Sequence, residues 1–505
     1  MCNRGVAGTL LIILGAIILV AAIGSPYLVR RLLKQQLQYA NGTTLYTSWV
    51  KPVTRDFNIY IFNITNLDDV LNGSVPQLDE IGPYTYDEYT GPVPDSIRFS
   101  DDGNTVRFNH HAYYVFNATK TNAANKGVHL NPLTDQLIVP NVLFHSVLAL
   151  CKNPLSILAP VCGLFEYGVL ADLHVQPFET ITPDKLIWGK QTNFSEFMNE
   201  LSQGLIPEVF GLLKNNTVGR ESSINTGRTD EYEVAKFITW LGQKELDAWN
   251  SKYANMINGT AGTVFRPYLD RDDVKLVYAF VDQVNRSFDL QYTEDVKVDR
   301  ITCRRYVLPE SEMENATQNP EQAGWFAFGP SGLLNISFIQ GGFPIFVSKP
   351  HFLHGEPQLR DNASIHASRA PIGRILDTAL DVEPITGVTL NAVKTLQTNL
   401  YIEPYSGNLA EHFGIENIRH TYFPVFWIQE CATILPGDAA KLHKSVILPY
   451  RIVTSKYMYF AIGGGGLLIF ISTMLIVSGL RRYCRSESGE HQPLVNFSDD
   501  DEDAR

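Results

Sequence analysis

VAGTLLIILGAIILVAAIGSPYLV (residues 6–29) and YMYFAIGGGGLLIFISTMLIVSGL (residues 457–480) are two uncharged apolar runs of 24 residues at opposite ends of the chain. At about 1.5 Å of rise per residue each makes roughly 36 Å of helix, enough to cross a hydrocarbon core of about 30 Å with some tilt. Two crossings put both termini on one side and hang residues 30–456 on the other. The first run is longer than the roughly 7–15-residue apolar core of a signal peptide, so it reads as an uncleaved anchor. Gly463–Gly466 would let another helix approach closely, the first span through Gly8 and Gly15 being one candidate; simple tolerance of glycine in membrane helices is the other.

Charge does not orient the hairpin. Arg481, Arg482 and Arg485 favour a cytoplasmic C-terminus, whereas Arg30, Arg31 and Lys34 pull the other way. The glycosylation acceptors decide. Asn-x-Ser/Thr occurs at Asn41, Asn63, Asn72, Asn117, Asn193, Asn215, Asn258, Asn285, Asn315, Asn335 and Asn362, all between the spans, which predicts a lumenal or extracellular domain. Asn496 lies in the tail and is expected to stay unused. The layout is thus a short cytoplasmic N-terminus (1–5), a span (6–29), a receptor-sized domain (30–456), a second span (457–480) and a cytoplasmic tail (481–505).

Residues 35–456 carry 33 basic and 46 acidic residues, a net of −13, which repels nucleic acid and other polyanions. Of six cysteines, Cys2 and Cys484 flank the spans on the cytoplasmic face, where palmitoylation and free thiols are both open readings. Cys151, Cys162, Cys303 and Cys431 face an oxidising lumen. Cys151 and Cys162 enclose a short segment and are disulfide candidates; whether Cys303 pairs with Cys431 stays open. The core must hold itself.

Alternating runs rich in β-branched and aromatic residues recur at Phe57–Thr65, Val106–Phe116, Leu276–Val281, Arg286–Val298, Thr302–Leu308, Leu334–Ile339, Leu396–Ile402 and Phe423–Ile428. They predict an antiparallel barrel or sandwich. Between 136 and 215 the texture turns helical: Val142–Leu150 is apolar almost all round, and Leu155–Leu173 and Phe194–Leu213 have helix-like spacing. This cluster is either buried core or an exposed docking surface. A helix is expected from Pro436 through Lys444.

Leu380-Asp381-Val382-Glu383-Pro384-Ile385-Thr386-Gly387-Val388-Thr389-Leu390, followed by Leu396-Gln397-Thr398-Asn399-Leu400, closely resembles a stretch of the class B scavenger receptors, the family of fatty-acid translocase, lysosomal integral membrane protein type 2 and the sensory neuron membrane proteins. Asn255-Met256-Ile257-Asn258-Gly259-Thr260 resembles the family's Asn-rich turn, and Ile81-Gly82-Pro83-Tyr84-Thr85-Tyr86, Trp188-Gly189, Ser348-Lys349-Pro350-His351-Phe352 and Phe423-Pro424-Val425 match further family positions in order. The resemblance runs from the first span to the second. It implies an α+β membrane protein: a large antiparallel β-barrel-like ectodomain with an apical helical bundle, anchored by two transmembrane helices. It also implies an apolar tunnel that passes lipid toward the bilayer from ligands docked at the apex. A covered apolar path lowers the barrier to membrane insertion, since each methylene exposed to water costs about 0.8 kcal/mol.

Two departures stand out. Where the family carries lumenal cysteines this chain has Ala254, Phe326 or Phe328, and Ile339, so none of the family's disulfides carries over. Family receptors for polyanionic ligands use basic apical helices, whereas Asn141–Leu170 has only Lys152 and Glu166 as charged residues other than histidine. Lys152 is the candidate ligand contact, with an ordinary solvated lysine as the alternative. In the tail, Glu490-His491-Gln492-Pro493-Leu494-Val495 resembles an acidic dileucine sorting signal, with Glu490, Leu494 and Val495 as the residues a clathrin adaptor would read.

No nucleophile elbow, Walker loop, dinucleotide fingerprint or Cys-x-x-Cys pair occurs, so no catalytic residue, metal site or cofactor is assigned. His110 and His111 face opposite sides of a strand; His351 and His354 lack a third ligand. The expected function is a scavenger-type receptor and lipid-transfer protein of the endosomal or lysosomal membrane, with the plasma membrane also open. Expected partners are lipids or lipoproteins, a lumenal protein ligand, the adaptor and a second copy of the chain. The alternatives are a docking receptor for a protein cargo without lipid transfer, and a two-span ion channel subunit.

Overall fold

A computed structural model of the chain describes residues 2–487 apart from 52, 153–161, 163–171, 271–273, 326–328 and 368–375. They form two compact units, one of residues Gln36–Ala439 and one of the two chain ends. The unit of the chain ends contains helices Cys2–Gln36 and Lys456–Glu487. Within them Val6–Gln36 and Met458–Arg482 are long and apolar enough to cross a membrane. The two helices touch at glycines: a Cβ on Gly15 would stand 2.9 Å from the Gly465 carbonyl oxygen, and one on Gly465 3.0 Å from that of Gly15. Nothing lies within 4 Å of such a Cβ on Gly463, Gly464 or Gly466, so one glycine of the four makes this approach. The expected helix after Leu435 runs Pro436–Leu442, widens to a π-turn over His443–Ile447 and resumes as Leu448–Thr454. Pro449, which has no N–H to donate, sits where the regular ladder resumes.

The large unit is built on strands β1 (Val53–Ile64), β2 (Gln77–Pro92), β3 (Thr105–Phe116), β4 (Thr217–Asn225), β5 (Phe237–Thr239), β6 (Leu276–Val281), β7 (Arg286–Val298), β8 (Ile301–Val307), β9 (Ala379–Val382), β10 (Thr389–Ile402) and β11 (Thr421–Thr433). Their order in the sheet is β5-β4-β3-β2-β1-β11-β10-β9-β8-β7-β6, antiparallel throughout this path. Every neighbouring pair is also consecutive in sequence except β1 with β11. The alternation of directions fixes where the connections lie. The chain enters β1 and leaves β11 at one end of the sheet, and the two longest connections, 117–216 and 308–378, depart from the other.

The two outermost strands share a partner. Phe237 of β5 donates its N–H to the Gly259 carbonyl (2.9 Å), Thr260 donates to Tyr278 of β6 (3.2 Å), and Phe280 of β6 donates to Thr260 (2.9 Å). Gly259 has φ +86°, and a Cβ there would lie 2.0 Å from the Tyr278 carbonyl oxygen, so only glycine fits. Just upstream, the Asn255 side chain accepts from the backbone of Ala248 and Trp249 and donates to the Trp249 carbonyl. The Leu380–Leu390 motif is likewise architectural: it is the β9–β10 hairpin, where buried Glu383 accepts hydrogen bonds from the backbone of Ile385 and Thr386 and from the Thr386 hydroxyl.

Several expectations need correction. Phe194–Leu213 is not one helix: it ends at Leu201, where Gln203 and Gly204 take positive φ and Gly204 N–H closes on Asn199 O, and Val209–Phe210 then pairs as a strand with Lys190–Gln191. Leu334–Ile339 is a strand only at Leu334–Asn335 before the chain turns. Leu155–Leu173 falls almost wholly outside the described residues. Cys303 and Cys431 are free thiols. Their strands, β8 and β11, are separated by β9 and β10, roughly 14 Å by strand spacing and beyond the reach of a disulfide. Cys151 and Cys162 are bonded to each other.

Ala254, where the family resemblance implies a cysteine, is buried against Gly324. The neighbouring order comes from Arg286, fully buried, stacked 4.1 Å from the Trp325 ring and 4.5 Å from that of Phe288, and bonded to Glu312 and Gln322 at 2.7 Å each. Removing one partner of a buried charge pair costs about 3–5 kcal/mol. Arg286→Met, of similar length and without the charge, is therefore expected to lower the unfolding midpoint of the purified full-length protein, and Gly259→Val to lower it as well; an unchanged midpoint for either would contradict the role given to that residue.

Candidate ligand-binding site

The helical insertion between β3 and β4 supplies the first element of the site. Helix Val142–Lys152 buries Val142, Leu143, Phe144, His145, Ser146, Val147, Leu148 and Leu150, so its all-round apolarity belongs to core and not to an exposed patch. His145 has its Nε2 3.0 Å from the Pro177 carbonyl, and burial pulls its pKa down to about 4. Lys152, the sequence-derived ligand contact, is in the last turn. Its Nζ is 2.6 Å from Glu403 and 4.2 Å from the centre of the Tyr405 ring, so the charge is already met. Beneath the start of this helix lies a cavity of about 400 Å³, lined by apolar Val142, Leu143, Phe178 and Phe194 and by polar Thr180 and Lys185. Lys185 and Lys190 are basic residues of the insertion that the sequence reading passed over; Lys190 is paired with Glu179.

A second cavity, of about 90 Å³, borders the sheet and is predominantly apolar: Val281, Phe288, Leu290, Met313, Leu334 and Ile428 form much of its wall. Lys349, Lys394 and Glu430 reach it as charged groups. Lys349 belongs to the Ser348–Phe352 motif, a backbone held at positive φ at His351 and Phe352. The fold over-determines that conformation. Gln397 accepts from the His351 N–H, while buried Glu80 meets the His351 ring (2.5 Å) and accepts from Trp427 Nε1 (2.8 Å). Lys349 itself is neutralised by Asp377 at 2.9 Å and donates to the Leu308 carbonyl.

Strand register places Glu88, Arg55, Glu430 and Lys394 in two adjacent cross-strand rows. Tyr114, Glu88 and Arg55 are directly opposite one another across β3, β2 and β1. Phe57, Glu430 and Lys394 are opposite across β1, β11 and β10. Arg55 and Phe57 are two apart on β1, so both rows share a face. Glu430 Oε2 is 3.9 Å from Arg55 and 3.8 Å from Lys394. Glu88 Oε2 is buried without a hydrogen-bond partner, and its Oε1 receives a long 3.4 Å contact from the Tyr114 hydroxyl. Burial first, and the Glu430 charge second, push the Glu88 pKa up to about 7. His110 on the same face contacts the Thr90 hydroxyl at 2.7 Å; burial and then Arg55 bring it down to about 4.

His111 points to the opposite face, toward Asn216. Among the described residues no three His, Cys, Asp or Glu side chains are grouped to hold a metal ion. Asn41, Asn72, Asn193 and Asn215 are exposed, and the other seven sequon asparagines between the spans are half-buried. Cys484 is exposed and unbonded. Glu490, Leu494, Val495 and Asn496 lie outside the described residues.

A family model described as the CD36 family matches residues 6–476. The chain belongs to the CD36 family. Lysosome membrane protein 2 of Homo sapiens is 28% identical over 502 residues, 98% of each chain, and that of Rattus norvegicus 27% over 504 residues, again 98% of each. Scavenger receptor class B member 1 of Mus musculus is 26% identical over 473 residues, 92% of this chain and 87% of that protein. This CD36-family chain is accordingly an integral membrane protein of the scavenger-receptor kind.

The raised Glu88 pKa has a definite sign. The neutral acid is the form the fold prefers, so its contribution is complete below about 4.5 and is lost as pH rises through about 7. Glu88→Gln, which stays neutral, is expected to gain on the wild type by about 2–3 kcal/mol between acid and mildly alkaline pH. Unfolding of both proteins at the two pH values measures it; a difference independent of pH would contradict the assignment.

Proposed function

We propose that this CD36-family protein is a receptor that takes up lipid into its ectodomain and passes it toward the membrane, with the domain on the lumenal or extracellular side and both termini in the cytoplasm. The observation that carries the reading is the apolar cavity bordered by the sheet, walled by side chains from β6, β7, β10 and β11. Burying an acyl chain there is favourable by about 0.8 kcal/mol per methylene relative to water. On this reading the sheet closes as a barrel, with Gly259 and Thr260 bridging its first and last strands. The 136–215 insertion forms its apical cap, since it departs from the end opposite to that where the chain enters β1 and leaves β11.

Endosomal or lysosomal residence rests on the likeness to proteins named lysosome membrane protein 2 and on the Glu490–Val495 signal, with Cys2 and Cys484 as palmitoylation sites beside the membrane. The eleven sequons between the spans supply the glycan coat. A docking role for the insertion, toward a protein cargo or a lipoprotein with Lys152 at the margin, is favoured by one observation, the half-polar 400 Å³ cavity beneath the helix start. The family match leaves no support for the channel-subunit alternative.

Leu396→Trp, which fills the inner cavity, is expected to reduce uptake of fluorescent fatty acyl lipid by cells making the protein at least several-fold while leaving its surface level unchanged. Uptake equal to wild type would end the transfer reading. Leu494→Ala with Val495→Ala is expected to shift the protein from internal membranes to the cell surface, scored by surface labelling; an unaltered distribution would remove the sorting signal.

A further inference from the structure

The inner cavity has an unusual neighbour for an apolar space, a set of charges whose sum can change with pH. Four groups form it: Arg55, Glu88, Glu430 and Lys394, contributed by β1, β2, β11 and β10. Glu430, Arg55 and Lys394 all act on Glu88. The neutral groups facing them are Tyr114 from β3, whose hydroxyl contacts Glu88, and His110 from β3, which rests on Thr90.

The geometry leaves the cations under-satisfied. One carboxylate, Glu430, serves both Arg55 and Lys394, and at 3.9 and 3.8 Å neither pair is within hydrogen-bond distance. Lys394 has a side chain one-third exposed, at 34%, and it lines the cavity. The Glu88 carboxyl lies next to Arg55 in register but leaves Oε2 buried and unpartnered. A buried ionised carboxylate with an empty oxygen beside an arginine would be an unstable arrangement; a neutral acid explains it. With Glu88 neutral, two cations face one carboxylate and the set carries +1. With Glu88 ionised, two cations face two carboxylates and the set is neutral.

We propose that this set of charges is a proton-dependent seat for an anionic head group, so that the cavity prefers negatively charged amphiphiles and holds them more tightly as pH falls. Lys394 is the residue that meets the head group, the apolar wall takes the chain, and Glu88 sets the pH response. The seat crosses the sheet near the end where the chain enters β1 and leaves β11. It rests on the reading that the cavity holds an amphiphile, and the test separates the two.

The full-length protein in amphipol is titrated with a ten-carbon alkylsulfonate, whose charge does not change with pH, and with the ten-carbon alkanol, which is neutral. Binding is followed by displacement of a neutral fluorescent probe at about pH 8.5 and about pH 5.5. The sulfonate is expected to bind on the order of tenfold more tightly at the acid pH, with the alkanol unchanged. Glu88→Gln is expected to bring the alkaline affinity for sulfonate toward the acid value. Lys394→Met, at a partly exposed position, is expected to abolish the preference for sulfonate over alkanol at both pH values. Alkanol binding with a pH-independent sulfonate affinity, or a Lys394→Met protein that keeps the preference, would overturn the seat while sparing the cavity reading. Failure of both probes to bind would overturn the cavity reading and the seat with it.

Discussion

A meander of eleven antiparallel strands has two outer edges, and every edge N–H and C=O must find a partner or face water. Here the residues that resolve this are Gly259 and Thr260, which bond to β5 on one side and β6 on the other. No side chain is tolerated at Gly259, because the approach to Tyr278 leaves no room for one. The local order depends in turn on the Asn255 side chain and on the buried Arg286 with its ring and carboxylate partners. A few polar contacts thereby govern the join of a sheet otherwise held by apolar packing.

That sheet separates two kinds of polar group. Glu80 Oε2 meets the His351 ring and accepts from Trp427 Nε1, and these bonds hold a loop of positive φ in place. Such a network serves structure, because removing one member strands its partners. The set of Glu88, Arg55, Glu430 and Lys394 is the opposite case, with long separations and an unpartnered oxygen. Polar groups left in that condition beside a cavity are what a ligand-binding interior needs, because a bound head group can supply the missing contacts. The fold thus places its firm polar network under the connections and its unsettled one against the apolar space.

Much of the sheet was legible. Leu276–Val281 and Arg286–Val298 are strands with the bounds their alternation predicts, Val106–Phe116 and Phe423–Ile428 lie within longer ones, and Phe57–Thr65 runs one residue past the end of a strand that begins at Val53. β2 was missed because Gly82-Pro83 reads as punctuation; the strand absorbs them where the register shifts between Ile59 and Ile61. β4, Thr217–Asn225, was missed because Arg220, Glu221 and two serines give it little apolar alternation. The helical texture of 136–215 corresponds to a helix at Val142–Lys152 and ends at Leu201, where Gly204 stops the second one. The site itself was the least legible part. Arg55, Glu88, Lys394 and Glu430 lie as much as 375 residues apart and meet through strand register alone. The usable signal was Glu430 continuing the Phe423–Ile428 apolar run, a charge where a solvated face is not expected. Lys152, chosen as the lone basic residue of its segment, was legible as a position and not as a paired one.

Whether the ectodomain interior carries lipid is decided by extracting the purified full-length protein, after thorough exchange of detergent for amphipol, and measuring by mass spectrometry the lipid that remains per polypeptide in the wild type and in Leu396→Trp. A stoichiometric amphiphile is expected in the wild type and its loss in the filled variant. Equal lipid in both proteins, or none in either, would rule out lipid carriage.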